Sequence, residues 1–136
     1  MISNSAFEKK SIQASAAGQE ATGAPVSFHP GRTPESPFEI MRIFTEAGGN
    51  AKNSIMGHLE RTIQDPGTLT EFATEFGSYC QFDLFGIENS YYQTKPEIDF
   101  FRYVISKSQS NQNIKGYKCF LFQRCSKNWF DTKPNQ

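Results

Sequence analysis

His29 and His58 are the only two histidines in the chain, and each directly follows a short apolar run that ends in a turn signal. Imidazole nitrogens at the ends of neighbouring strands can share one divalent cation, and zinc is a natural partner for nitrogen ligands. A catalytic zinc normally has three protein ligands and a water, so two imidazoles make an incomplete set. The plainer alternative, a strand-end histidine hydrogen-bonded to its surroundings, stays open for both. Asp83 is either a carboxylate standing behind a metal ligand or an acid hydrogen-bonded to loop backbone, and the sequence alone favours the second. Arg32, just beyond His29, suits an anionic substrate group or a solvated loop. Glu60 and Arg61 read as a local surface pair of little energetic weight. Tyr91 and Tyr92 fit a pocket mouth or simple loop packing equally well.

Other chemistries fit less well. There is no GxSxG elbow for a serine nucleophile, and no GxGxxG or GxxxxGK[ST] phosphate loop. Cys80 opens a predicted buried strand, a poor setting for a reactive thiolate. The three cysteines have no zinc-type CxxC spacing and read as reduced thiols in a cytoplasmic protein. Fourteen basic residues balance fourteen acidic ones, which argues against a nucleic-acid platform. The C-terminal stretch holds Lys115, Lys118, Arg124, Lys127 and Lys133 beside Trp129, yet lacks an RNA-recognition motif. No apolar run is long enough to span a bilayer. The N-terminus lacks the basic-then-apolar order of a signal peptide.

Alternating helix-like and strand-like segments must position the histidines. Residues 5–22, rich in Ala, Glu, Gln and Lys, predict a helix stopped by Gly23. Residues 24–28 predict a strand ending at His29-Pro30-Gly31. Ser36, Pro37 and Glu39 form the signature of a capping box, followed by an apolar stripe through Ile40, Met41, Phe44 and Ala47. A second strand is predicted over 53–57, stopping at His58. Asp65 caps the next helix, with Pro66 at its first position and Leu69, Phe72, Ala73 and Phe76 on one face. Further strands are predicted over 79–85 and 118–122, with a helix at 97–107 between them. Residues 125–136 read as a frayed polar tail. This α-β-α-β order implies a parallel sheet with crossover helices. His29 and His58 lie 29 residues apart, close to the roughly 31 residues per unit of an eight-unit barrel. A doubly wound sheet has similar spacing, so the pattern does not choose between them.

Three stretches, FHPGRTPESPFEIMRIFTEAG at 28–48, IMGHLERTI at 55–63 and YCQFDLFGIENSYYQ at 79–93, resemble the phosphotriesterase-related proteins of the amidohydrolase superfamily. The resemblance runs from about residue 5 to about residue 107. It implies an α/β fold, a fragment (about units 4–8) of a (β/α)8 TIM barrel with parallel strands. Residues 1–116 would be the middle-to-C-terminal part of the barrel and 117–136 a divergent tail. It also implies a two-metal zinc centre. The family's ligands are an HxH pair on the first strand, a bridging Lys or Glu on the fourth, one histidine on each of the fifth and sixth, and an aspartate on the eighth. His29 matches the fifth-strand ligand and His58 the sixth-strand ligand, both on the more exposed metal. The implied chemistry is catabolic hydrolysis of an ester or amide bond by a metal-activated hydroxide. N-acyl amino-acid-like compounds such as N-acetyltaurine are the implied small-molecule substrates, with Arg32 placed to meet an anionic group.

The chain also departs from the family pattern. No HxH pair and no bridging residue are found, and Gln123-Arg124 stands about where the family has a pair ending in aspartate. Arg124 keeps its proton and cannot ligate zinc, and Asp131 comes too late to replace it. The expectation is therefore a set of site residues without a complete catalytic centre, inactive alone. A truncated gene model or a decayed gene copy would account for it. Open sheet edges would favour self-association, or a non-catalytic β/α remnant that binds partner chains. No nucleic-acid or membrane partner is expected.

Overall fold

The structure, a computed structural model, describes residues 5–83 and the backbone of residues 118–121. The chain opens with α1 (Ala6–Thr22), in which Ser5 and Glu8 form a reciprocal capping box and Gly23 closes the helix in the left-handed conformation. The Ser5 N–H donates to Glu8 at 2.6 Å, and this bond and the Ser5 hydroxyl hold the Glu8 carboxyl below its usual range. Most of α1 is exposed, but Ile12, Ala16 and Gln19 are buried. Gln19 ties the helix to the rest of the chain: its Oε1 accepts from the Asn50 N–H at 2.7 Å and its Nε2 donates to the Asn53 carbonyl at 2.9 Å.

β1 (Val26–Phe28) leads to α2 (Glu35–Glu46). The expected capping box at Ser36 and Glu39 does not form. The helix starts at Glu35 with Pro34 in the cap position and no side-chain cap. Ser36 is otherwise engaged: its Oγ accepts the Gly31 N–H at 2.7 Å and braces the preceding loop. A 3₁₀ turn (Ala51–Asn53) precedes β2 (Ser54–Met56), and α3 (Leu59–Thr62) follows it. Neither short helix was predicted, because three or four residues are too few to show a period. α4 (Pro66–Phe76) starts as expected, with Asp65 accepting the Thr68 N–H and Pro66 in the first turn. Those bonds to Thr68 lower the Asp65 carboxyl from its ordinary value. β3 (Tyr79–Phe82) is shorter than the predicted 79–85 and leaves Asp83 just beyond it. β4 (Lys118–Leu121) falls within the predicted last strand. The predicted helix at 97–107, the loop with Tyr91 and Tyr92, and the tail at 125–136 lie outside the described residues.

The strands form a parallel sheet in the order β1-β2-β3-β4. Parallel pairing requires a crossover between neighbours, which α2 and α4 supply. Phe28 pairs with Met56, and Met56 with Cys80. The core beneath the helices is rich in phenylalanine and methionine. Met41, Phe44, Met56, Leu59, Leu69, Phe72 and Phe82 are all fully buried. Each such side chain contributes roughly 1.5–3 kcal/mol by leaving water. Phe28 meets Phe44 edge-on at 4.9 Å, and Phe38 meets Phe72 in the same way at 5.3 Å. Among the described residues, no helix is long and apolar enough to cross a membrane.

Candidate metal centre

The sheet register decides where the two histidines meet. Phe28 and Met56 are paired, so the chain leaves both strands side by side at one rim. The Gly57 N–H then donates to the Phe28 carbonyl at 2.9 Å, extending the pairing by one residue. A side chain at Gly57 would bring its Cβ to 3.2 Å from that same oxygen. Glycine thus permits the close approach that delivers the next residue, His58, to the rim. The His29 and His58 rings lie 4.7 Å apart between centroids, inclined at 73°.

His58 is held from three directions. It is the one non-glycine residue with positive φ among the described residues, at φ 53° and ψ 37°. That left-handed conformation is costly for a residue with a Cβ and persists where the surroundings impose it, often at functional sites. Its carbonyl accepts the Arg61 N–H at 3.1 Å. Its Nδ1 lies 2.6 Å from Asp83 Oδ1. Facing a carboxylate, Nδ1 carries the proton and donates, so the Nε2 lone pair is left for another partner. The other Asp83 oxygen accepts from Gln81 Nε2 at 2.9 Å. Among the described residues Asp83 thus serves a histidine and a glutamine side chain, not the loop backbone that the sequence alone favoured.

His29 is exposed and makes no side-chain hydrogen bond among the described residues. Its loop is what is held. Pro30 is fully buried, the Gly31 N–H is taken by Ser36, and Arg61 Nη2 donates to the Pro30 carbonyl at 2.8 Å. The expected surface pair of Glu60 and Arg61 gives way here, since Glu60 is buried and Arg61 reaches across to the His29 loop. Arg32 is exposed on that loop, three residues past His29, and among the described residues no hydrogen bond ties it to either imidazole. Arg124 and Asp131 lie outside the described residues.

Two imidazoles at adjacent strand ends, one with a carboxylate behind it, are nitrogen donors of the type a divalent cation takes, but only part of a complete set. Among the described residues no third His, Cys, Asp or Glu joins them in a metal-holding group. The sequence identified both histidines through their position after apolar runs. It did not reveal the service of Asp83 to His58, or the bracing of the rim by Arg61 and Ser36. Those contacts join residues 25 and 31 positions apart or cross a loop, and no local period marks them.

Comparison with known proteins adds an independent line. The family model described as "Phosphotriesterase family" matches residues 3–115. A phosphotriesterase-related protein of Aedes aegypti is 59% identical over 87 residues, covering 64% of this chain and 24% of that protein. One from Drosophila willistoni is 53% identical over 108 residues, covering 79% of this chain and 29% of that protein. The crystal structure of a phosphotriesterase homology protein from Escherichia coli, complexed with phosphate in its active site, superposes with a TM-score of 0.69 at 21% identity. That match covers 88% of this chain and 38% of the other. The chain spans about a quarter of the length of the curated relatives it matches.

Proposed function

The chain belongs to the phosphotriesterase family and takes the fold of one part of its barrel; from that premise we propose that it carries two ligands of a hydrolase zinc centre, His29 and His58. The observation that carries this reading is the imidazole pair itself. The rings are 4.7 Å apart, and His58 Nδ1 is engaged by Asp83. In the parent enzyme the centre would hold two divalent ions. A cation bound there would lower the pKa of a water and polarise an ester or amide carbonyl. The chain's own contribution is positional. His29 and His58 supply nitrogens, and Asp83 holds the His58 proton on Nδ1 so that Nε2 faces outward. Arg32 stands ready on the exposed loop for an anionic group. The substrate class we favour is an N-acyl amino-acid-like compound such as N-acetyltaurine, whose anionic end suits Arg32.

We further propose that this chain alone does not hydrolyse such a substrate, because the two imidazoles, joined by no bridging carboxylate among the described residues, hold too little of a two-metal centre. A cytoplasmic setting is part of the same proposal, since three cysteines are an odd number without zinc-type spacing. The test is calorimetric titration of the chain with Zn²⁺. One ion per chain is expected, with binding lost in His29→Ala and in His58→Ala. Zinc uptake indifferent to both substitutions would sink the reading. Chelator-sensitive hydrolysis of N-acetyltaurine by the chain alone would overturn the claim of inactivity.

A second reading rests on a different observation. β1 lies at one end of the sheet and pairs only with β2 among the described strands. Among the described residues no strand pairs with its outer edge, and an open edge favours strand addition from another chain. On this reading the protein is a non-catalytic unit that self-associates. Light scattering during size-exclusion chromatography decides it: a monomer at all concentrations rules the reading out.

A further inference from the structure

Arg61 is placed unusually for a charged side chain. Its Nη2 donates to the Pro30 carbonyl at 2.8 Å, across 31 positions of sequence. Its Nε is buried and has no hydrogen-bond partner. No ion pair to Arg61 is found among the described residues, where the pairs are Arg42–Glu46 and His58–Asp83. An arginine retained only for solubility would keep its guanidinium in water. Burying an N–H without a partner is costly, so this arrangement persists because it serves something else.

The backbone of the same residue indicates what that is. The Arg61 N–H donates to the His58 carbonyl at 3.1 Å. One residue therefore grips the peptide of His58 through its main chain and the peptide after His29 through its side chain. Pro30 has no N–H, so its carbonyl is the only backbone polar group it offers. β1 is three residues long and lies at one end of the sheet, so strand pairing does little to stiffen the His29 loop. Beyond Arg61, that loop has the Gly31–Ser36 bond and the burial of Pro30. His58 keeps Asp83 regardless of Arg61.

We propose that Arg61 is the positioning residue that sets His29 against His58, bridging the two strand-end loops so that both imidazoles face one ligand. The inference rests on the metal-ligand reading of the two histidines, but its first readout does not need the metal. In the chain with isotope-labelled histidine rings, a ring-to-ring nuclear Overhauser effect between His29 and His58 is expected. Arg61→Met keeps the stem and removes the donors. It is expected to abolish that effect while leaving the His58 ring signals near their original positions. Arg61→Lys restores one donor and is expected to recover part of it. Arg42→Met removes a charge from the surface and is expected to change nothing at the rim. Zinc affinity should fall about tenfold in Arg61→Met, the lower end for residues that orient a metal ligand.

Arg61→Met retaining both the ring contact and the zinc affinity overturns the inference. Should Arg61→Met fail to fold, the unaltered chain still decides. The buried Arg61 Nε proton is expected to exchange with solvent more slowly than that of exposed Arg42, and equal rates overturn the inference. Loss of the ring contact in Arg61→Met, together with no zinc uptake by the unaltered chain, removes the metal reading and leaves the positioning role standing.

Discussion

His29 and His58 are identical side chains on one rim, yet the molecule holds them by different means. His58 is constrained at the side chain. Asp83 orients its ring, a left-handed backbone turns it, and α3 begins on the next residue. His29 is constrained at the loop. Its ring is exposed, while Pro30, Ser36 and Arg61 fix the peptides that follow it. The helices beyond the two loops differ in the same sense. α4 behind His58 has a side-chain cap from Asp65, and α2 behind His29 has none. Two histidines on one rim therefore need not be symmetric in their support. One is oriented through its second nitrogen, and the other by the backbone that carries it.

The largest expected effect tests what lies beneath the His29 side. Phe44 is fully buried and packs edge-on against Phe28, the residue before His29. Phe44→Ala is expected to cost about 3–5 kcal/mol in urea unfolding, the range for emptying a phenylalanine site. A cost under about 1 kcal/mol would show that this side collapses freely around the cavity. Next comes the carboxylate behind His58. Asp83→Asn keeps the shape and removes the charge that holds the Nδ1 proton. Zinc affinity by calorimetry is expected to fall about 10- to 100-fold, while the His29 ring signals stay in place. An unchanged affinity would mean that His58 needs no carboxylate, and the asymmetry would lose its chemical half.

Acid is expected to act on one side first. The Asp65 carboxyl is held below the ordinary carboxylate value by the Thr68 N–H and hydroxyl. A group whose folded pKa is depressed contributes its full stability above the unfolded value and loses it as pH falls through the folded one. The α4 cap should therefore weaken below about pH 4, whereas α2 has no such cap to lose. Hydrogen exchange at pH 5 and pH 3 should show the change in the first turn of α4, and Asp65→Asn should flatten it. The smallest effect belongs to Arg42, whose ion pair with Glu46 is more than half exposed on both partners. Arg42→Ala is expected to change stability by at most about 0.5 kcal/mol in thermal melts. A larger loss would mean that α2 relies on its surface more than its packing implies.

Reading the sequence recovered much of the scaffold, and for identifiable reasons. Asp65-Pro66 announced α4, and a run of good helix formers stopped by Gly23 announced α1, because caps and stops are local chemistry carried by adjacent residues. The apolar runs before His29 and His58 announced β1 and β2. Ser36 misled because the same residue type that caps a helix can equally brace a loop. Only the position of Gly31 in space tells the two apart. α3 and the 3₁₀ turn are shorter than any period that could betray them.

By itself, then, the sequence determined the alternation of elements, the parallel α/β class, the family, and the place of two histidines directly after strands. The tertiary structure decided that those histidines share a rim 4.7 Å apart, that Asp83 stands behind His58, and that Arg61 joins the two loops. The physical reason is range. Caps and periodicity depend on neighbours within a turn or two, which a sequence displays directly. A carboxylate 25 residues downstream, or a guanidinium 31 residues from its carbonyl, becomes a neighbour only when parallel strands fall into register.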